Sequence, residues 1–546
     1  MKNLSIEITL KMIFLSLLLV GCSDILDENP KDALSSATFW KTKADADAGL
    51  VAIYDALEAP RGELGWASLG LFDLLTPIGN SRDGGLRIIA EGAADPNSGP
   101  IADLWSYSYK GIVRANDFLV HVDDIPFIGQ DTQEEKNIMK GEARFLRAMY
   151  YYLLVDLYGD VPLFDYVPQI SDASTTRTSK TEVLTFIKED IEYAISNLPM
   201  PGNEELVGRA TKGAALALKV KVALFENDWN TAATAAEEIM GLGYGLVPNY
   251  EDVISIDNEN NEEVIFDVEH IFLNDAEGGG TAEKMYAFRS SSGNGWSWVQ
   301  PTLWLVDKFE RINPDPVEGV DYTNEDPGRI PNSVYKYFEG RDPRIDHTII
   351  RPGSHFFDKT NTDILYPHEF QAVNHSQVGM HARKYVIPGE GTSANTDSPL
   401  DYIIFRYADI LLNYLEAVAQ RDGAGNVSQT VLDQTINAVR VRASNELTLY
   451  TAGNITMDDI YNERIKELAL EGWTFFDMRR NGWIEINNGY EVMGLTVRSG
   501  RTVNFNPSPI NETRLFDPSK HYLFPIPNRE RETSGFALTQ NPGYPQ

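Results

Sequence analysis

Apolar side chains recur at helical spacing over about residues 35–244 and again over about 401–480. The clearest run is Gln133–Tyr158, where Ala143, Leu146, Tyr150, Leu153, Leu154 and Leu157 fall at offsets of 0, 3, 7, 10, 11 and 14. Gly159, Asp160, Val161 and Pro162 stop it. The same spacing predicts helices over Thr38–Ala59, with Ala44, Ala48, Val51 and Tyr54 on one face, over Leu104–Asp123, and over Lys180–Asn197, which Pro199 and Pro201 halt. Lys212–Phe225 and Trp229–Met240, parted by Glu226, Asn227 and Asp228, predict a helical hairpin. Its alanines (Ala214, Ala215, Ala217, Ala223, Ala232, Ala233 and Ala236) let two helices approach closely, a layout similar to a degenerate tetratricopeptide repeat. Further helices are predicted over Ile403–Arg421, Ser428–Ser444 and Met457–Arg480.

Two stretches lack this period. Residues 60–100 are rich in Gly, Asp, Asn and Pro and predict a long irregular segment, of the kind that is functional or mobile. Over about 245–400 the helical period fades and short apolar runs such as Val264–Val268 predict strands. From Asn481 onward the pattern is short strands and turns. The fold class is therefore mainly α, a helical scaffold at both ends of the chain with a large irregular, loop-rich insertion containing short strands.

The N-terminus carries Lys2 and Lys11, an apolar run Met12–Val20, and then Gly21 and Cys22. That is the layout of a signal peptide over 1–21. The run is nine residues, against roughly 20 needed to cross a bilayer. Leu19-Val20-Gly21-Cys22 resembles a bacterial lipobox, which makes Cys22 the acylated first residue of the mature chain; the alternative is an ordinary signal with an incidental cysteine. Residues 22–34, polar and containing Pro30, are the expected lipidated tether. Acyl chains, two or more together, would supply the membrane attachment.

Cys22 is the only cysteine among 546 residues, so once it is acylated no disulfide is possible and the fold rests on packing. The net charge is −33, and loss of Lys2, Lys11 and Glu7 with the signal leaves −34. Such a chain repels nucleic acid and anionic headgroups, and no Lys/Arg run offsets this. Aromatic residues make up 11% of the chain, with 9 Trp and 25 Tyr. That is enough to build a core and leave rings for a binding surface.

Several segments, in order from residue 22 to residue 544, resemble the SusD/RagB family of outer-membrane nutrient-binding lipoproteins of Bacteroidetes. They are Cys22-Ser23-Asp24; Gly141-Glu142-Ala143-Arg144-Phe145-Leu146-Arg147-Ala148 running into Asp156-Leu157-Tyr158-Gly159-Asp160-Val161-Pro162-Leu163; and Asn260-Asn261-Glu262-Glu263-Val264-Ile265-Phe266. Arg341-Asp342-Pro343-Arg344, Lys384-Tyr385, and Arg406-Tyr407-Ala408-Asp409-Ile410-Leu411-Leu412 with Glu416-Ala417 follow. Glu463-Arg464 with Glu467-Leu468 and Glu471-Gly472, then Phe524-Pro525-Ile526-Pro527 and Gln540-Asn541-Pro542-Gly543-Tyr544, complete the series. The resemblance implies a tetratricopeptide-like helix-pair superhelix that cradles a loop-rich half, the whole of 35–546 forming one domain. It implies a ligand-binding part at about 60–100 and 245–400, a place on the cell outer membrane, and a SusC-type TonB-dependent transporter as partner. The ligand is a glycan, less often a peptide.

Glycan binding needs flat aromatic faces against sugar rings and Asn, Asp, Arg or Gln for the hydroxyls. Ser290–Gln300 supplies Asn294, Trp296 and Trp298; two residues apart in an extended segment, the tryptophans face one side. It precedes Trp304, in a region where the resemblance also implies ligand contacts. The plainer alternative is that one tryptophan pins the loop to the core. Asn80, Arg82 and Asp83 in Asn80–Gly85, with Trp66 upstream, form the second candidate, and here the alternative is a turn with a local Asx bond. Trp105 opens a helix and fits the family pattern with Tyr109 and Asn116, so it is expected in the core. Glu463, Glu467 and Glu471 stack at i, i+4 and i+8 and are the only carboxylate set that suggests a glycosidase. Arg464, Arg479 and Arg480 nearby favour a salt-bridged scaffold instead.

No metal-ligand motif emerges: His368-Glu369 lacks the second histidine of a zinc protease, and Asp257–Glu263 lacks the glycine of an EF-hand. No cofactor is expected, with a structural calcium left open. The expected function is non-catalytic capture of oligosaccharide or polysaccharide at the cell surface and its delivery to the transporter. A peptide-binding member of the same family, a surface glycoside hydrolase and a protein-binding scaffold are the rivals.

Overall fold

A computed structural model of the protein describes residues 39–58, 64–128, 132–271, 280–288, 291, 295–312, 337–358, 360–366, 376–387, 398–498 and 502–545. The signal, Cys22, the tether and Asn294 lie outside the described residues.

The N-terminal scaffold consists of α1 (Lys43–Tyr54), α2 (Gly84–Ala90), α3 (Gly99–His121), α4 (Thr132–Tyr158), α5 (Lys180–Asn197), α6 (Lys212–Phe225) and α7 (Trp229–Met240). Each of α3 to α6 packs on the helix that follows it, as in a repeat array, and α7 then docks on α8 (Tyr407–Asp422), beyond the whole insertion. Polar caps fix where these helices begin. Thr42 and Asp45 form a reciprocal capping box on α1, and the side chains of Ser179, Thr211 and Asp228 accept backbone N–H groups at the starts of α5, α6 and α7. Close approach has its own residue: a Cβ on Gly111 of α3 would lie 2.3 Å from the Tyr150 ring of α4.

Three expectations change. Ile403–Arg421 divides into a strand, Tyr402–Arg406, and α8. Ser428–Ser444 divides into α9 (Gln429–Gln434) and α10 (Ile436–Ala443) at Thr435, whose φ and ψ are −123° and −101°. Met457–Arg480 divides into α11 (Met457–Glu467) and α12 (Trp473–Arg480), with Leu470 and Gly472 at φ of 65° and 98° between them. A Cβ on Gly472 would meet the Leu69 carbonyl oxygen at 2.1 Å, so the break is where another segment passes. That segment comes from the predicted irregular stretch. Residues 64–81 are buried throughout, with Trp66–Leu75 in a tight 3-10 winding. Asp73 there accepts from the N–H groups of Gly472 (3.0 Å) and Phe475 (3.2 Å), capping α12. Burial pushes its carboxyl up to about 8 against the pull of those two bonds.

The strands form two-stranded antiparallel ribbons. β1 (Gly79–Ser81) pairs with β3 (Val299–Pro301), β2 (Val264–Val268) with β4 (Tyr402–Arg406), and β5 (Tyr490–Arg498) with β6 (Thr502–Arg514).

Candidate functional site

The β1–β3 ribbon joins the two candidate patches, which lie over 200 residues apart in the chain. Gly79 faces Pro301, Asn80 faces Gln300 and Ser81 faces Val299. Trp296 and Trp298 stand together, ring centroids 4.8 Å apart and 34° from parallel, both half-buried with one side against the core. The pairing arises differently from the expected pleat, because Ser297 between them has φ of 57°. The backbone is held by the short helix Ala282–Tyr286 and the residue after it. Trp296 N–H donates to the Lys284 carbonyl (2.7 Å), Trp298 to Met285 (2.9 Å) and Ser297 to Ala287 (2.9 Å). A Cβ on Gly295 would sit 2.1 Å from the Ala287 carbonyl oxygen, so this approach requires glycine. The rings are thus anchored and pre-oriented, with part of each left open to solvent.

Arg82 is exposed and has no hydrogen-bond or ion-pair partner among the described residues. Asp83 takes the alternative role: it is the N-cap of α2, accepting from Gly85 (2.9 Å) and Leu86 (3.0 Å) N–H groups. Asn80 is corrected outright, because it is fully buried. It sits beside Gln377 at 3.0 Å and, in the orientation its neighbours demand, donates to Glu512 at 2.8 Å. Gln300 accepts from the Gln377 N–H (3.0 Å) and donates to the Ser297 carbonyl (2.8 Å). A buried amide network therefore links β1 to the tryptophan loop, and Asn80 positions that loop instead of meeting a ligand. Trp66 is also corrected: it is 2% exposed, packed against Phe405 and Trp473 at 6.3 and 6.4 Å between centroids. Its place inside an almost wholly apolar decapeptide was the available signal. Trp105 is buried, as expected. Sequence reasoning missed Gln377 and Ser297; no local spacing marks either.

The glutamate stack is a scaffold. Glu463 accepts from Arg344 (2.6 Å) and Arg440 (2.7 Å) and pairs with Lys466 (2.8 Å). Glu467 accepts from Arg344 (2.9 Å), Arg406 (2.7 Å) and Arg442 (2.5 Å), and Glu471 from Lys384 (2.6 Å) and Arg406 (2.7 Å). Glu471 lies past the end of α11, so the three do not share one continuous helix. The expected partners pair elsewhere: Arg464 with Asp409 and Asp477, Arg479 with Asp156, and Arg480 with Glu416 and Asp477. Burial pushes the Glu463 and Glu467 carboxyls up, but the surrounding guanidinium groups outweigh it and hold both well below the usual carboxylate range. Buried, ionised and fully engaged, neither can deliver a proton to a glycosidic oxygen.

A model of the SusD family matches residues 262–544, just over half the chain, and one described as "Starch-binding associating with outer membrane" matches 87–224. A SusD-like protein of Formosa agariphila is 25% identical over 97% of this chain and 98% of its own length. Among solved structures, a SusD-like carbohydrate binding protein of Bacteroides fragilis is 26% identical with a TM-score of 0.76, covering 91% of this chain and 99% of that one. Surface glycan-binding protein A of Bacteroides thetaiotaomicron, solved in complex with laminarihexaose, shares the fold at 20% identity and a TM-score of 0.67, over 92% of this chain and 100% of that one. With the helix-pair scaffold, the inserted ribbons and a family match across more than half of its residues, the chain belongs to the SusD family.

Proposed function

We propose that this protein binds an oligosaccharide or polysaccharide at the cell surface without cleaving it and passes it to a SusC-type TonB-dependent transporter of the outer membrane. The observation that carries the reading is the Trp296–Trp298 pair, fixed by three backbone hydrogen bonds just ahead of the strand that pairs with β1, which Arg82 follows in the chain. Rings held in place before binding lose little entropy when a sugar stacks on them, and an unpaired guanidinium supplies hydroxyl donors at the edge. The laminarihexaose complex of the similarly folded Bacteroides thetaiotaomicron protein supports a glycan as the ligand class. Acylation at Cys22 would hold the chain at the outer membrane. The ion-paired state of Glu463, Glu467 and Glu471 supports binding over hydrolysis.

The test is calorimetry of the lipid-free chain, starting after Cys22, against plant, microbial and host glycans and a set of peptides, with product analysis of the same mixtures. Saturable binding with the glycan recovered intact is expected. Cleavage products refute the non-catalytic role, and binding confined to peptides refutes the glycan assignment.

A further inference from the structure

A cavity that shares no residue with the tryptophan patch holds an arginine short of counter-charge. The ribbon of Ile349–Ile350 with His381–Ala382 delivers it: the Arg383 N–H donates to the Thr348 carbonyl at 2.9 Å, which sets Arg383 near His347. Both side chains line a cavity of about 180 Å³. Val253, Ile254, Ile256, Val386, Ile387 and Leu400 give that cavity an apolar wall.

Arg383 is half-buried, and among the described residues its side chain makes one hydrogen bond, from Nη2 to the His355 carbonyl at 2.6 Å. Its Nε is buried without a partner, and Nη1 has none among the described residues either. Most buried arginines of this chain instead face a carboxylate, as Arg147, Arg344, Arg406, Arg440 and Arg464 do. The acids whose charge reaches Arg383 are engaged: Asp346 pairs with Arg351 at 2.8 Å and Asp363 with His355 at 3.2 Å. Lys384 and Glu471, which also line the cavity, neutralise each other at 2.6 Å. Glu251 is the remaining acid of the lining; its side chain is 60% exposed and stands 3.3 Å from the His347 Nδ1, so water screens most of its charge. Burial lowers the pKa of the Arg383 guanidinium against the pull of Asp346, as expected of a cation short of counter-charge.

We propose that this cavity binds the carboxylate of an acidic sugar residue, a uronate, with Arg383 pairing the acid and the apolar wall receiving the C–H face of the ring. Guanidinium and carboxylate match in shape and charge, and the hydrogen bonds between them are among the strongest available to a side chain. His347 and Ser255, which line the same cavity, suit the ring hydroxyls. The inference rests on the glycan reading above and narrows it. A net charge of −33 opposes a polyanion, so the fit is to a largely neutral glycan that carries occasional uronate residues. The lining comes from separate stretches of the chain around Tyr250, His347 and Arg383, which is why no linear motif announced it.

The test is NMR of the lipid-free chain, starting after Cys22 and labelled at its isoleucine methyl groups, titrated at neutral pH with methyl glucuronide and, separately, methyl glucoside. Saturable shifts at Ile254, Ile256 and Ile387 are expected, with the glucuronide binding about 10- to 150-fold tighter, the size of one charge-assisted hydrogen bond. Arg383→Gln, which can still donate to the His355 carbonyl, should reduce the glucuronide to the affinity of the glucoside. The comparison of the two sugars on the unmodified protein stands whether or not that variant folds. Trp296→Ala/Trp298→Ala should leave the preference intact, because the two sites share no residue. Equal affinity for the two sugars, shifts confined to isoleucines outside the cavity, or an undiminished preference in a folded Arg383→Gln overturns the proposal. Neutral glycan still bound at the tryptophans beside any of those results leaves the glycan reading standing, so the two fail separately.

Discussion

Replacing Glu467 by Gln probes the structure at its most heavily charged interior point. Glu467 belongs to a closed network in which six acids (Glu263, Glu310, Asp342, Glu463, Glu467 and Glu471) meet six bases (Arg344, Lys384, Arg406, Arg440, Arg442 and Lys466). The formal charges cancel, and all but Glu310 are almost wholly removed from solvent. The glutamine keeps the shape but leaves one uncompensated positive charge shared by Arg344, Arg406 and Arg442. Breaking a buried pair from one side costs about 3–5 kcal/mol. Unfolding entropy near 2.1 cal/mol/K per residue gives roughly 1 kcal/mol/K for some 500 residues melting together, so Tm should fall by about 3–5 °C. The assay is differential scanning calorimetry beside Asp422→Asn, which breaks the exposed Arg421–Asp422 pair and should move Tm by less than about 1 °C. The two variants melting alike would refute the view that this network is a structural keystone. The pH dependence has a fixed sign. Glu463 and Glu467 titrate in the folded chain well below their unfolded value near 4.3, so their contribution is full above that value and is lost as pH falls below it. The unmodified protein should lose stability steeply below about pH 4, and Glu467→Gln less steeply.

Three further outcomes are expected. Gly472→Ala places a Cβ 2.1 Å from the Leu69 carbonyl oxygen at a φ of 98°, so it should lower Tm or cut soluble yield; a Tm equal to that of the unmodified protein contradicts the close passage of residues 64–81 beneath α12. Asp73→Ala removes the acceptor for two buried N–H groups and should cost about 2 kcal/mol, seen as a loss of thermal stability with glycan affinity retained. Arg82→Ala should leave Tm unchanged, since the side chain has no partner among the described residues, and weaken glycan binding about 10- to 150-fold, the size of one charge-assisted hydrogen bond; unchanged affinity removes Arg82 from the site.

The helices whose limits were readable are those with polar caps and stop signals of their own. Lys180–Asn197, Lys212–Phe225 and Trp229–Met240 have the predicted bounds, as does the strand Val264–Val268. Tyr402–Arg406 was absorbed into a helix because a short apolar run fits either period until its partner strand is known. The division of Met457–Arg480 depends on Leu69 and Asp73, some 400 residues earlier, and nothing near Leu470 reveals it. Of the candidate site, the tryptophan pair and Arg82 could be found from residue type and loop composition. Their meeting on one ribbon could not, since it rests on the pairing of β1 with β3. Asn80 and Trp66 misled for a common reason: the turn-rich composition of residues 60–100 suggests a surface, whereas 64–81 run through the interior.

The most direct test of the account is the affinity of Trp296→Ala/Trp298→Ala for the glycan that the unmodified protein binds. If a sugar covers about 50–80 Å² of each open ring face, the loss is roughly 1.3–2 kcal/mol per ring, or about 100- to 1,000-fold in Kd for the pair. The account predicts that loss with a Tm close to that of the unmodified protein, because the loop is held by its backbone. Glycan affinity within about two-fold of the unmodified protein, in a double variant that remains folded, would contradict it.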